Sequence, residues 1–284
     1  MIDSIIDLLH CPLCARPVVV AERELRCPAG HGFDIARQGY VNLLTRPAKG
    51  ANADTAEMII ARDRFLSAGH YRTLSDRLAE LVADRSAGLP GGSPTGAVLL
   101  EAGAGTAHYL GRVLTAVDGA RAIATDLSVP ACRRAAGVDA RLGAVVADTW
   151  SGLPINDAAV DLIMVVFAPR NPAEFARLLR PGGILLVAAA NDDHLTEVRD
   201  QLGMINIRSG KLPALQSSLQ EWFELEHSED LRSPLSLDHA ALQDLVLMGP
   251  TAHHRRTDLA QRIATLPDPT AVTLSVGLSV FRRR

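Results

Sequence analysis

The sequence predicts an α/β fold, a doubly wound and mostly parallel sheet preceded by a small zinc-binding domain. Three observations carry that expectation. Cys11, Cys14, Cys27 and His31 are spaced C-x2-C-x12-C-x3-H, a pattern in which a C-x2-C turn brings two thiolates to one tetrahedral metal. From residue 97 onward, short apolar runs alternate with helical segments, the reading of strands buried on both faces of a parallel sheet. A chain of 284 residues also exceeds the usual single-domain size, which fits one large domain and one small.

With 48% apolar and 21% charged residues, the chain can build an ordinary core and has no disorder signature. The opening stretch MIDSIIDLLH carries two aspartates and no basic segment, and no apolar run is long enough to cross a bilayer. A cytoplasmic location without a membrane partner is therefore expected, and there thiols stay reduced and free to hold metal. Two disulfides would be the alternative use of four cysteines, but such frameworks belong to short secreted chains. A formal net charge of −3 excludes a generally basic nucleic-acid binder. The stretch from Cys11 to Gly50 is nevertheless locally positive, with Arg16, Arg23, Arg26, Arg37, Arg46 and Lys49 against Glu22, Glu24 and Asp34. Further basic clusters lie at His253 to Arg256 and Arg282 to Arg284.

Taken in order, residues 1–47 form the zinc-binding module, whose metal supplies the stability that so short a segment lacks. Residues 48–96 form a helical linker region: small residues at 48–53, then helical spacing of Met58, Ile59, Phe65, Leu66, Leu74, Leu78 and Leu81, divided by Gly69. The Gly- and Pro-rich run 88–96 is a loop. Residues 97–284 form the sheet domain, with strands at 97–102, 121–126, 144–147, 160–168 and 183–190. Two later candidates, Trp222 to His227 and Val272 to Phe281, flank a helix around 238–248, and the last is expected as an antiparallel edge.

The first of these strands ends in Glu101-Ala102-Gly103-Ala104-Gly105-Thr106. Glycines at a strand-to-helix turn let the backbone approach a ligand closely. His108 stands where a dinucleotide fingerprint requires its third glycine. Glu101, just before the glycines, suits a positively charged ligand better than a pyrophosphate. About twenty residues on, Asp126 ends the second strand, where a carboxylate accepts ribose hydroxyls in nucleoside-binding doubly wound folds. Asp148 ends the third strand, near where an adenine would sit. Three acids at three strand ends together point to S-adenosylmethionine.

The order of elements resembles that of class I (Rossmann-like) methyltransferases. Longer stretches are similar to the bacterial guanine-N1 methyltransferases of large-subunit ribosomal RNA: CPLC at 11–14, CPxxHxFD at 27–34, GYVNLL at 39–44, DTAEM at 54–58, ARDRFLSAGHY at 61–71 and FAPRNP at 167–172. The last looks like the actinomycete branch, which includes enzymes conferring tylosin-type macrolide resistance. The resemblance implies methyl transfer from S-adenosylmethionine to N1 of a guanine in a hairpin loop of 23S ribosomal RNA, the large-subunit RNA being the partner. It puts the zinc ligands on Cys11, Cys14, Cys27 and His31, and donor contacts on Tyr71, Gly105, Thr106 and His194. Glu101, Gly103 and Asp126 complete the expected donor site. The chain departs from the family in its glycine loop, with Ala104 and with Ala107 where a further glycine is expected.

Guanine N1 carries a proton at neutral pH, so the reaction needs a base or a group that stabilises charge developing on O6, and the base must leave its stack. Asp148, Phe167 and Arg170 are the catalytic-site candidates, with Phe167 and Pro169 gripping the base; Asp148, Arg170 and His194 compete for proton handling without a decisive signal. Cys132 follows the second strand, away from where carbon-5 pyrimidine methylation would need a nucleophile, and reads as an inert thiol. Zinc with four protein ligands has no open position for chemistry, so the module reads as an RNA-recognition frame. Two alternatives stay open: a small-molecule methyltransferase with a purely structural zinc module, and a non-catalytic RNA-binding protein that retains a donor pocket. The oligomeric state, including a homodimer, is also open.

Overall fold

The computed structural model describes residues 1–46, 53–86, 96–205, 217–254 and 258–284. The expected small-residue linker and the 88–96 loop lie almost wholly outside the described residues, as do the side chains of the 253–256 basic cluster.

The chain opens with a 3-10 helix, Ile2–Leu8, whose Ile2, Ile5 and Leu8 are buried against the main sheet. Three short strands follow, β1 (Val19–Ala21), β2 (Glu24–Arg26) and β3 (Gly32–Asp34), forming an antiparallel meander. The next strand, β4 (Val41–Asn42), leaves that meander and pairs parallel with β7 (Leu142–Val146) of the large sheet.

Helix α1 (Ala56–Ser67) starts where the Thr55 hydroxyl accepts the Met58 N–H at 3.3 Å. Gly69, at φ +83°, turns the chain into α2 (Arg72–Ser86), as the sequence predicts. Strands and helices then alternate: β5 (Val98–Ala102), α3 (His108–Leu114), β6 (Arg121–Asp126), α4 (Val129–Ala135), β7, β8 (Val160–Val166), α5 (Pro172–Leu178) and β9 (Leu179–Ala190). After α6 (Thr196–Arg199) come β10 (Phe223–Leu237), α7 (His239–Leu247), α8 (Leu259–Ile263) and β11 (Thr270–Arg283). The eight-stranded order is β10-β11-β9-β8-β5-β6-β7-β4, with β11 antiparallel to both β9 and β10.

Two expectations change here. The final strand is not the edge: β11 lies between β9 and β10, and the long β10 forms the border. The boundaries at 47 and 97 do not separate packing units. The zinc segment lends β4 to the sheet, while Phe65, Leu74, Leu78 and Leu81 of α1 and α2 share one core with Leu99, Leu162 and Leu186 of the strands. The opposite face of the sheet is covered by the N-terminal 3-10 helix, the root of the zinc segment and α5.

That second face depends on a missing side chain. A Cβ on Gly143 in β7 would run into the Ile5 side chain. Gly143→Ala is therefore expected to destabilise the protein by about 1–3 kcal/mol, the usual cost of overpacking a filled core. Adding Ile5→Val should recover part of that loss in a double-mutant cycle read by denaturant unfolding. Additive losses would mean that the two sites do not touch.

Candidate active site and zinc centre

Two matched turns hold the four metal ligands. Ala15 N–H donates to Cys11 O at 2.8 Å with Ala15 at φ +56°, and Gly30 N–H donates to Cys27 O at 2.9 Å with Gly30 at φ +86°. The ligand atoms of Cys11, Cys14, Cys27 and His31 all lie within 4.8 Å of one another. His31 Nδ1 is 3.4 Å from the sulfurs of both Cys11 and Cys27, and the Cys14 and Cys27 sulfurs are 3.7 Å apart. A tetrahedral ion with Zn–S bonds of ~2.3 Å and Zn–N bonds of ~2.0 Å gives S–S and S–N edges of about 3.8 Å and 3.5 Å, close to these separations, so the donor set fits zinc. Burial alone would raise the Cys27 thiol, but the amides of His31 and Ala29 aimed at its sulfur, with the Cys14 and Cys11 sulfurs, bring its pKa down to about 6.

The glycine turn after β5 is tied to the end of β6. Gly103 and Ala104 both donate their N–H to Thr125 O, at 2.9 and 3.0 Å. One Asp126 oxygen accepts the Gly105 N–H and the other the Ser128 N–H, each at 2.8 Å. Asp126 is thus the staple of the turn as well as the predicted ribose acceptor, and each oxygen keeps a lone pair for a hydroxyl. Burial raises its pKa. Gly103, at φ +72°, has no room for a side chain, because a Cβ would meet the Ala168 Cβ at 2.5 Å. A Cβ on Gly105 would lie 2.8 Å from Arg62 Nη1, so the Arg62 guanidinium stands directly over the turn, paired with Asp54 at 2.6 Å.

Glu101 is used differently from the expectation that it faces a cationic ligand. It is buried in the core, where its Oε2 accepts the Leu110 N–H at 3.2 Å in the first turn of α3. Burial pushes its pKa up to about 8. Thr106 is likewise buried just past the turn.

Three residues far apart in sequence meet at the strand ends. The rings of Tyr71 and Phe167 are 6.4 Å apart, those of Tyr71 and His194 6.3 Å, and those of Phe167 and His194 5.8 Å. Phe65 packs edge-on to Tyr71 at 5.0 Å and fixes it from behind. Phe167 is held at φ +53°, a conformation that costs an aromatic residue about 1–3 kcal/mol, and it is 43% exposed. His194 is buried and its Nδ1 accepts the Ser275 N–H at 3.2 Å. That bond puts the ring proton on Nε2, and burial lowers the pKa to about 4. At neutral pH this histidine is a fixed hydrogen-bond donor and a poor base.

Asp148 closes the turn after β7, its oxygens accepting the Trp150 N–H at 3.0 Å and the Ser151 hydroxyl at 2.7 Å. Arg170 is half-buried, without a side-chain partner among the described residues, and burial lowers its pKa. Sequence reasoning missed Arg62, Trp150 and Ser275. Arg62 sits inside a stretch noted for its resemblance, but nothing local indicates that the helix lays it over Gly105. Cys132 is buried, with its thiol 3.6 Å from Asp126 O, and stays clear of the trio.

Comparison with known proteins follows this geometry closely. The family model described as "RlmA, N-terminal", a zinc ribbon, matches residues 9–51. A Streptomyces fradiae protein named 23S rRNA (guanine(748)-N(1))-methyltransferase is 47% identical over 99% of this chain and 99% of its own length. The chain belongs to the 23S rRNA guanine-N1 methyltransferase family. A Micromonospora griseorubida relative, provisionally named as a 23S rRNA (guanine-N(1)-)-methyltransferase, is 44% identical with 99% of both chains covered. Among solved structures, the YcgJ protein of Bacillus subtilis superposes with a TM-score of 0.52 at 15% identity, covering 74% of this chain and 99% of that one, a likeness of fold alone. As in the rest of the family, the doubly wound sheet is a class I methyltransferase fold, S-adenosylmethionine is its methyl donor, and the zinc is structural.

Proposed function

We propose that this chain transfers a methyl group from S-adenosylmethionine to N1 of a guanine in 23S ribosomal RNA, at the position carried in the name of its Streptomyces relative, guanine 748. The observation that carries the reading is the Tyr71, Phe167 and His194 cluster beside the glycine turn, in a chain 47% identical to that enzyme end to end. When bound, the donor supplies an electrophilic methyl group on a positively charged sulfur. The Gly103 to Gly105 turn and Asp126 hold its nucleoside, and Tyr71 and His194 wall the reacting end, with the Asp54-paired Arg62 over the turn.

The strained, half-exposed Phe167 supplies a ring face for a guanine turned out of its stack. As N1 gives up its proton, negative charge develops on O6. His194 Nε2–H is a donor on this wall that can meet it. The chain therefore works by orientation and charge stabilisation, with the proton leaving to water.

The zinc module supplies the grip on RNA. Arg16, Arg23, Arg37 and Arg46 on it are exposed and without side-chain partners among the described residues, whereas Arg26 pairs with Glu24. Unpaired arginines on a metal-stiffened frame are ready for phosphates. All the residues named come from a single copy of the chain. Among the described residues no helix is long and apolar enough to cross a membrane, and a ribosomal RNA substrate is met in the cytoplasm. Kinship with the tylosin-resistance branch extends the reading to macrolide protection.

Primer extension on large-subunit RNA treated with enzyme and donor tests the reading, because a methyl on N1 blocks the Watson-Crick edge. A donor-dependent stop one nucleotide before guanine 748 is expected. Methylation of free nucleosides without any stop on RNA would make the chain a small-molecule enzyme, and donor binding with no transfer at all would leave it a binding protein.

A further inference from the structure

The turn after β7 carries an indole that the reaction as described does not use. Trp150 is one of two tryptophans in the chain and is 62% exposed. Its backbone is nonetheless fixed by two hydrogen bonds. Asp148 accepts its N–H at 3.0 Å, and the neighbouring Thr149 carbonyl accepts a 3.0 Å bond from the Asn171 side chain. The second bond fastens the turn after β7 to the loop after β8, although β5 and β6 separate those strands in the sheet. The bonded residues, Thr149 and Asn171, are the sequence neighbours of Trp150 and Arg170.

Arg170 differs from the arginines that follow it in the chain. Arg177, on the helix that follows, pairs with Glu174 and Asp157, and Arg180 pairs with buried Asp161 at 2.5 Å. Arg170 has no such anion among the described residues, although it is half-buried. A cation partly removed from water without a counter-charge marks a place where an anion is supplied from outside. The same loop exposes Phe167 and Pro169.

We infer that Trp150 and Arg170 form a subsite for the nucleotide next to the target guanine, the indole stacking on its base and the guanidinium pairing with its phosphate. The inference rests on RNA being the substrate. An aromatic platform next to a cation is the pairing that holds single-stranded nucleic acid, since every base has a face to stack and every nucleotide a phosphate. With Phe167 on the flipped guanine and Trp150 on its neighbour, two successive bases have separate rings. The neighbouring nucleotide is then held while its partner is turned out.

The test uses full-length, zinc-loaded enzyme and a large-subunit RNA transcript. Trp150→Ala is expected to raise KM for RNA about tenfold, with donor affinity by calorimetry within about twofold of wild type, and Trp150→Phe should recover most of the loss. Arg170→Gln should lower the slope of log affinity against log salt by ~0.7, one single-strand phosphate contact. Donor affinity falling as much as RNA affinity in Trp150→Ala would place the indole on the donor's adenine and overturn the inference. An unchanged salt slope in Arg170→Gln would overturn it as well. If wild type methylates the transcript and the variants match it, the subsite fails while the functional reading stands; if wild type neither binds nor methylates the transcript, both fail.

Discussion

Cys14→Ser is expected to release the zinc and to reduce RNA methylation on the order of 100-fold, while leaving donor affinity within about threefold of wild type. Three strands of three residues each, which bury Leu25 alone and are flanked by buried Val18 and the ligands Cys11 and Cys27, cannot hold a fold without the ion. Structural zinc contributes about 10–16 kcal/mol of apparent folding energy to such modules, and removing one ligand forfeits most of it. Arg16, Arg23 and Arg37 would then hang on unstructured chain, and each phosphate contact would carry the entropy of ordering it. Unfolding should stop at the anchors, since Ile2, Ile5 and Leu8 on one side and β4 on the other are held by the large sheet. Zinc content, calorimetry with donor and RNA methylation rates on the same preparation decide the matter. Equal losses of donor binding and RNA methylation would show that melting passes through β4 into the donor site.

Asp126→Ala should do the reverse, with donor binding weakened by about 2–4 kcal/mol, roughly 30- to 700-fold, and little change in RNA affinity. The carboxylate has two duties. Its removal deprives the ribose of an ionised acceptor and leaves the Gly105 and Ser128 amides unsatisfied, so the glycine turn loses its staple. Asp126→Asn separates the duties only in part, because its amide nitrogen would face one of those N–H groups. Burial raises the pKa of Asp126, so its ionised, donor-binding form is lost on acidification earlier than for an ordinary carboxylate. Donor affinity should accordingly fall as pH drops, from a point above the usual aspartate range. Donor affinity in Asp126→Ala within about threefold of wild type would remove this carboxylate from the ribose, since a lost charge-assisted pair of bonds costs more than that.

Much of the site was legible because its chemistry is local. The zinc ligands are fixed by covalent spacing, and Glu101, Gly103, Gly105 and Asp126 lie within one strand-turn-helix unit and the next strand end. Tyr71, Phe167 and His194 were each identified, but their meeting depends on how α2 and the strand ends pack, which spacing does not encode. The rest stayed hidden for physical reasons. Trp222 to His227 is expected as a strand, but its continuation to Leu237 is not, because β10 is an edge strand whose polar residues from Ser228 to Ser236 largely face water. Two-residue β4 carries no periodicity at all. At Glu101 and Asp148 a sequence shows the acid but not the amides already bound to it.

The pairing of β4 with β7 has one more consequence. Val41 and Asn42 share their hydrogen-bond ladder with Val145 and Val146, and Leu43 N–H donates to Val146 O at 3.0 Å, two residues before Asp148. The metal-bound segment is therefore joined by backbone hydrogen bonds to the strand whose end carries Asp148, like a vice bolted to its bench. If the zinc segment grips RNA as proposed, this joint ties the spacing between the held phosphates and the transferred methyl to the sheet, and a guanine is reached only at a matching length along the folded nucleic acid.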